Sequence, residues 1–168
     1  MIGERPRLAR PARERLAQGL SLALALVLAV MPLPALALSF RPDWVALWVI
    51  FWVLVSPETL GLGKAWTAGL CMDVLYGTAL GEQALAVGLL AFVTDRIHLR
   101  LRMFPRWQQA LAVFVLVSLA HLVILWARHA LDRPGGDLAY WLSAAVSGAL
   151  WPALYPLMQK LRERLQIL

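Results

Sequence analysis

Two side chains of this 168-residue chain stand out as groups able to hold or move a proton within apolar surroundings, Asp73 and His121. A charge inside a long apolar run is costly unless it is paired, protonated or turned toward a wet cavity, so each is a candidate functional group. Together they could form a proton relay. The competing reading pairs Asp73 with a hydroxyl, a backbone group or a partner, and leaves His121 hydrogen-bonded within a helix bundle. Other chemistry is poorly provided for. The chain carries no phosphate-binding loop, no Cys/His metal spacing and no serine-nucleophile motif. An intramembrane protease would need a Ser–His pair or a second mid-span carboxylate beside Asp73, and neither motif is present. The expectation is a non-enzymatic protein without cofactor or metal.

Asp73 lies in the stretch Gly61–Gly81, GLGKAWTAGLCMDVLYGTALG. Every fourth residue of it reads Gly61, Ala65, Gly69, Asp73, Gly77, Gly81. On a helix that spacing stacks side chains along one ridge, where small residues let a second helix approach closely. A step of four overshoots a turn by about 40°, so the ridge winds and suits an inclined neighbour. The spacing predicts a packing seam over 61–81 with one functional polar residue, against the plainer view that Gly and Ala are simply common in membrane helices.

Composition sets the frame for these residues. Apolar types make up 61% of the chain and charged ones 15%, and the apolar residues fall into blocks separated by short charged or Pro/Gly-containing pieces. That is the pattern of an all-α integral membrane domain. A net charge of +6 raises the question of nucleic acid, but the basic residues gather at the ends of apolar blocks, which is an orientation signal instead. Cys71 is the one cysteine and excludes an intramolecular disulfide.

The blocks predict about six crossings, with a basic cytoplasmic tail at 1–15, a transmembrane domain at 16–158 and a basic cytoplasmic tail at 159–168. The first block, 16–38, resembles a signal peptide at its start, with Ala35-Leu36-Ala37 as a cleavage site, yet is long enough to span. Arg41-Pro42-Asp43-Trp44 then opens a short aromatic block, with Asp43 as the expected helix cap and Trp44 as an interface anchor. Residues 44–55 give about 18 Å of helix, which makes this the weakest crossing. The later blocks are 61–81, 82–97, 107–127 and 138–158. A basic turn spans 96–106, Pro134-Gly135-Gly136 marks a turn, and Pro152 and Pro156 predict a bend. With both termini inside, every one of the 16 basic residues except Arg41, Arg128 and Arg133 lies on the cytoplasmic side. The tails and the basic turn suit either anionic lipid or simple orientation.

Three segments in combination, RPDW at Arg41–Trp44, GLCMDVLYGTALG at Gly69–Gly81 and LRMFPRWQQAL at Leu101–Leu111, resemble the bacterial rod shape-determining protein MreD family. The resemblance covers about residues 15–165 and is strongest to proteobacterial members. It implies a multi-pass inner-membrane component of the lateral cell-wall elongation complex. It also implies association with an MreC-like periplasmic scaffold, alongside MreB, RodA and its transpeptidase, RodZ and membrane lipids. The same resemblance implies a fold similar to the substrate-binding membrane subunits of vitamin uptake transporters, so a small-solute or vitamin-binding transporter subunit is the alternative function. Matching positions for partner binding or helix packing are Arg41, Pro42, Asp43 and Trp44 at the outer edge and Gly69, Asp73, Gly77 and Gly81 in the third helix. Arg102, Pro105 and Trp107 match at the inner turn.

Overall fold

A computed structural model describes residues 9–32, 34, 40–133 and 139–167. The expected turn at 134–136 and the cleavage motif at 35–37 lie outside them. Among the described residues there are six helices and no strand: α1 (Ala9–Val30), α2 (Trp44–Val55), α3 (Leu62–Tyr76), α4 (Glu82–Met103), α5 (Arg106–Ala130) and α6 (Ala139–Ile167). Residues 9–15 and 159–167, read from sequence as tails, extend α1 and α6. The basic residues Arg96, Arg100 and Arg102 likewise ride on the last turns of α4, and the turn itself shrinks to Phe104-Pro105.

Local rules place the ends. Proline pushes the residue before it out of the helical region, and Ser56 before Pro57 and Phe104 before Pro105 are where α2 and α4 stop. Gly77 closes α3 at φ +62° and Gly81 precedes α4 at φ +104°, both left-handed values that favour glycine. The ridge expected over 61–81 therefore ends at Tyr76. Gly61 is the N-cap of α3, and Gly77 and Gly81 shape a turn instead of extending the seam. Gly69 does sit at a close approach: a Cβ there would stand 2.5 Å from the Ala84 Cα of α4. Gly148 has the same role between α6 and α5, 2.9 Å from the Ala110 carbonyl oxygen.

Helix α2, the weakest expected crossing, is the hub of the bundle. It packs against all five other helices. Every residue from Val45 to Leu54 is buried. A helix apolar on all sides is at home only where apolar neighbours or lipid surround it, and here the neighbours are protein. Around it α3 packs on α4, α4 on α5, α5 on α6, and α6 on α1. Trp48 and Trp52 of α2 both donate their indole N–H to Ser21 Oγ of α1, at 2.9 and 3.0 Å. Among the described residues α5 is the helix long and apolar enough to cross a membrane by length and composition.

Candidate functional site

One end of the bundle gathers the C-terminal ends of α1, α3 and α5 and the N-terminal ends of α2, α4 and α6. They enclose a cleft of about 400 Å³. Arg41, Asp43, Tyr76, His121, Arg128 and Tyr140 supply its polar wall, and Trp44 closes one side.

Asp43 is the N-cap of α2, its Oδ1 accepting the Ala46 N–H at 3.0 Å. Its Oδ2 faces His121 Nε2 of α5 at 3.4 Å, and its own N–H donates to Ser147 Oγ of α6 at 2.9 Å. One residue thus ties three helices together at the cleft floor. Burial pushes the Asp43 carboxyl up. The hydrogen bond and charge of His121, with the Ala46 and Val45 N–H groups, outweigh that effect and hold it below the usual carboxylate value. The other ring nitrogen of His121, Nδ1, lies 3.0 Å from the Tyr140 carbonyl oxygen, and the two rings meet edge to face.

Glu82 and Arg128 form the second charged pair, Arg128 Nε donating to Glu82 Oε1 at 2.6 Å while Arg128 also reaches the Tyr140 hydroxyl. They sit in the first turn of α4 and the last turn of α5, where acid and base complement the helix dipoles. Nothing local in the sequence joins two residues 46 apart, and neither was picked out there. Tyr76 leans across to α1, its hydroxyl donating to the Ala29 carbonyl at 2.9 Å. Arg41 donates one NH2 to the Leu28 carbonyl at 3.0 Å. Its buried Nε has no hydrogen-bond partner.

Asp73 is fully buried beside this cleft but is not part of its wall. Its carboxylate accepts from Thr78 Oγ1 at 2.9 Å and from the N–H groups of Gly81, Gln83 and Ala84 at 2.8, 2.8 and 3.3 Å. Those N–H groups open α4, and Gly81 has no side chain to cap them, so α3 lends the cap. Asp73 lies in the last turn of α3, not in mid-span, and no hydrogen bond joins it to His121 among the described residues. The four donors on Asp73 favour the packing reading over the relay.

Three more sequence-derived positions lie at the opposite end, where α2 and α4 finish. Arg102 Nε donates to the Leu54 carbonyl, one of those left open by the end of α2. Pro105 is the N-cap of α5, and its carbonyl accepts the Gln108 and Gln109 N–H groups at 3.0 Å. Trp107 is 67% exposed. Gln109, unnoticed in the sequence, donates to the Leu101 and Phe104 carbonyls and accepts from Trp151 of α6. Pro42, half-buried, lines the cleft between Arg41 and Asp43.

Residues 15–161 match the family described as rod shape-determining protein MreD. The chain is 30% identical over 144 residues to the rod shape-determining protein MreD of Haemophilus influenzae, covering 86% of this chain and 89% of that one. No solved structure matches it. The matched span takes in α2 to α5 whole and most of α1 and α6, hub and cleft together, and the chain belongs to the rod shape-determining protein MreD family.

Proposed function

We propose that this chain is a non-enzymatic, multi-pass component of the cell-wall elongation machinery in the bacterial inner membrane. In this reading it determines rod shape by docking an MreC-like scaffold and other peptidoglycan-synthesis proteins. The observation that carries the membrane part is the outer surface. Leu16, Leu20 and Val27 of α1 and Val115, Leu122 and Trp126 of α5 are each roughly half exposed or more. In water so much exposed apolar surface is a liability, whereas lipid covers it at no cost. The basic residues Lys64, Arg96, Arg100, Arg106, Lys160 and Arg164 gather at the end opposite the cleft. That asymmetry favours a cytoplasmic basic end, cytoplasmic termini and a cleft opening outward. Exposed Trp107 beside Arg102 and Pro105 then faces cytoplasmic partners, and Arg41–Trp44 faces the periplasmic side.

Depletion in the rod-shaped host, with plasmid rescue, tests the role. Rounding that wild type reverses, together with recovery of the scaffold on affinity purification, is the expected result. Cells that stay rods but require a vitamin or metabolite would favour the second reading, a solute-binding transporter subunit, for which the cleft itself is the supporting observation.

A further inference from the structure

The polar cleft has an apolar neighbour. Trp44 also lines a second, apolar groove of about 340 Å³ between α1 and α6. Leu24, Leu28, Trp48, Ala153, Leu154 and Leu157 form much of that groove. The two spaces share Trp44, and the Leu28 carbonyl that holds Arg41 belongs to a residue lining the apolar groove. A polar cavity at the bundle end thus adjoins an apolar groove along the bundle side, with Trp44 in the wall of both.

Charge in the cleft is unevenly matched. Asp43 has His121, and Glu82 has Arg128. Arg41 has one backbone carbonyl for five N–H donors, no carboxylate within 4 Å among the described residues, and a buried Nε without a partner. A guanidinium in that state keeps positive charge and N–H donors that no carboxylate offsets, which suits an anionic phosphate oxygen. Tyr140 and Arg128 line the same cleft.

We propose that the cleft and groove together form a binding site for one phosphate-headed membrane lipid. The phosphate sits at Arg41, and one acyl chain passes Trp44 into the groove between α1 and α6. The inference rests on the membrane-embedded reading above but on no protein partner. Charge complementarity at Arg41 and an apolar groove that shares Trp44 with the cleft select a lipid over a soluble anion.

The test uses the full chain in detergent and native mass spectrometry after partial delipidation. Dioleoylphosphatidylglycerol, dioleoylglycerol and inorganic phosphate are added separately. The expected result is a retained phosphatidylglycerol adduct, with no adduct from dioleoylglycerol. Retention falls about tenfold in Arg41→Gln, as loss of a charged hydrogen-bond donor predicts. Retention also falls in Ala153→Trp, which fills the groove without touching the cleft. Arg41→Lys keeps a charge and should retain part of the adduct, while Arg100→Gln at the other end should match wild type. Equal retention by wild type and Arg41→Gln would overturn the proposal. So would binding of inorganic phosphate with no lipid adduct, which would mark a soluble-anion site. Should Arg41→Gln fail to fold, unchanged retention by Ala153→Trp alone overturns it. Carbonate extraction of cell membranes separates the two readings. A chain released from membranes sinks the membrane assignment, whereas a retained chain without the adduct sinks only the lipid site.

Discussion

Asp73 and Asp43 are two carboxylates drawn to the same end of one helix bundle, and their surroundings set them apart. Asp73 has four donors on its two oxygens and no access to the cleft. Asp43 has the backbone N–H groups at the start of α2 and the His121 imidazole as partners, and its side chain keeps 19% exposure toward open volume. A saturated carboxylate has no bonding capacity left for a ligand or a proton path, so it builds structure. A carboxylate shared between a cap and a histidine can respond to what enters beside it.

Substitution of the two should separate these roles. The largest effect is expected from Asp73→Leu, which leaves the Gly81, Gln83 and Ala84 N–H groups unpaired in a buried turn. At about 1–3 kcal/mol for each buried donor left unsatisfied, the protein should lose most of its folded yield, read as detergent-solubilised monodisperse material. Asp73→Asn keeps an acceptor and should fall between Leu and wild type. If Asp73→Leu folded normally yet failed to restore rod shape, the comparison would break and Asp73 would be functional after all. Next comes Gly69→Ala, whose Cβ would meet the Ala84 backbone at 2.5 Å. A loss of about 1–3 kcal/mol is expected in thermal unfolding, by the usual cost of overpacking.

Asp43→Asn should be milder, about 1 kcal/mol as for a weakened cap, with its main effect on the cleft. The pair also has a pH signature. Asp43 is held below the usual carboxylate value, so its stabilisation is present above that value and fades as pH falls through the lowered pKa. Wild type should therefore lose more melting temperature than Asp43→Asn between neutral and strongly acidic pH; parallel curves would remove the His121 partnership. The smallest stability effect belongs to Trp107→Ala, within about 0.5 kcal/mol because the ring is exposed. If it nevertheless reduces recovery of wall-synthesis partners, the basic end gains a docking residue that packing does not explain.

Much of the helix layout was legible in the sequence, because apolar blocks and proline breaks act locally. The block at 44–55 announced its own length but not its place. Twelve apolar residues without a polar side describe a short crossing and a buried hub equally well, and only the other five helices decide between them. The small-residue seam was legible only in part, for a different reason. Glycine serves close approach at Gly69 and left-handed turns at Gly77 and Gly81, and a four-residue spacing cannot tell the two uses apart. The Glu82–Arg128 pair escaped notice because its members look like ordinary helix-end charges until the bundle closes.

A helix that is apolar all round, as α2 is, carries no instruction about which way to turn on its own axis. Each rotation buries nearly the same surface, so the hydrophobic effect and lipid solvation are close to indifferent. The instruction comes from Ser21, whose hydroxyl receives the indole N–H groups of both Trp48 and Trp52, residues one helical turn apart. A single oxygen on a neighbouring helix thus acts as an index mark for α2. It sets the angle at which Asp43 leaves the hub and meets His121.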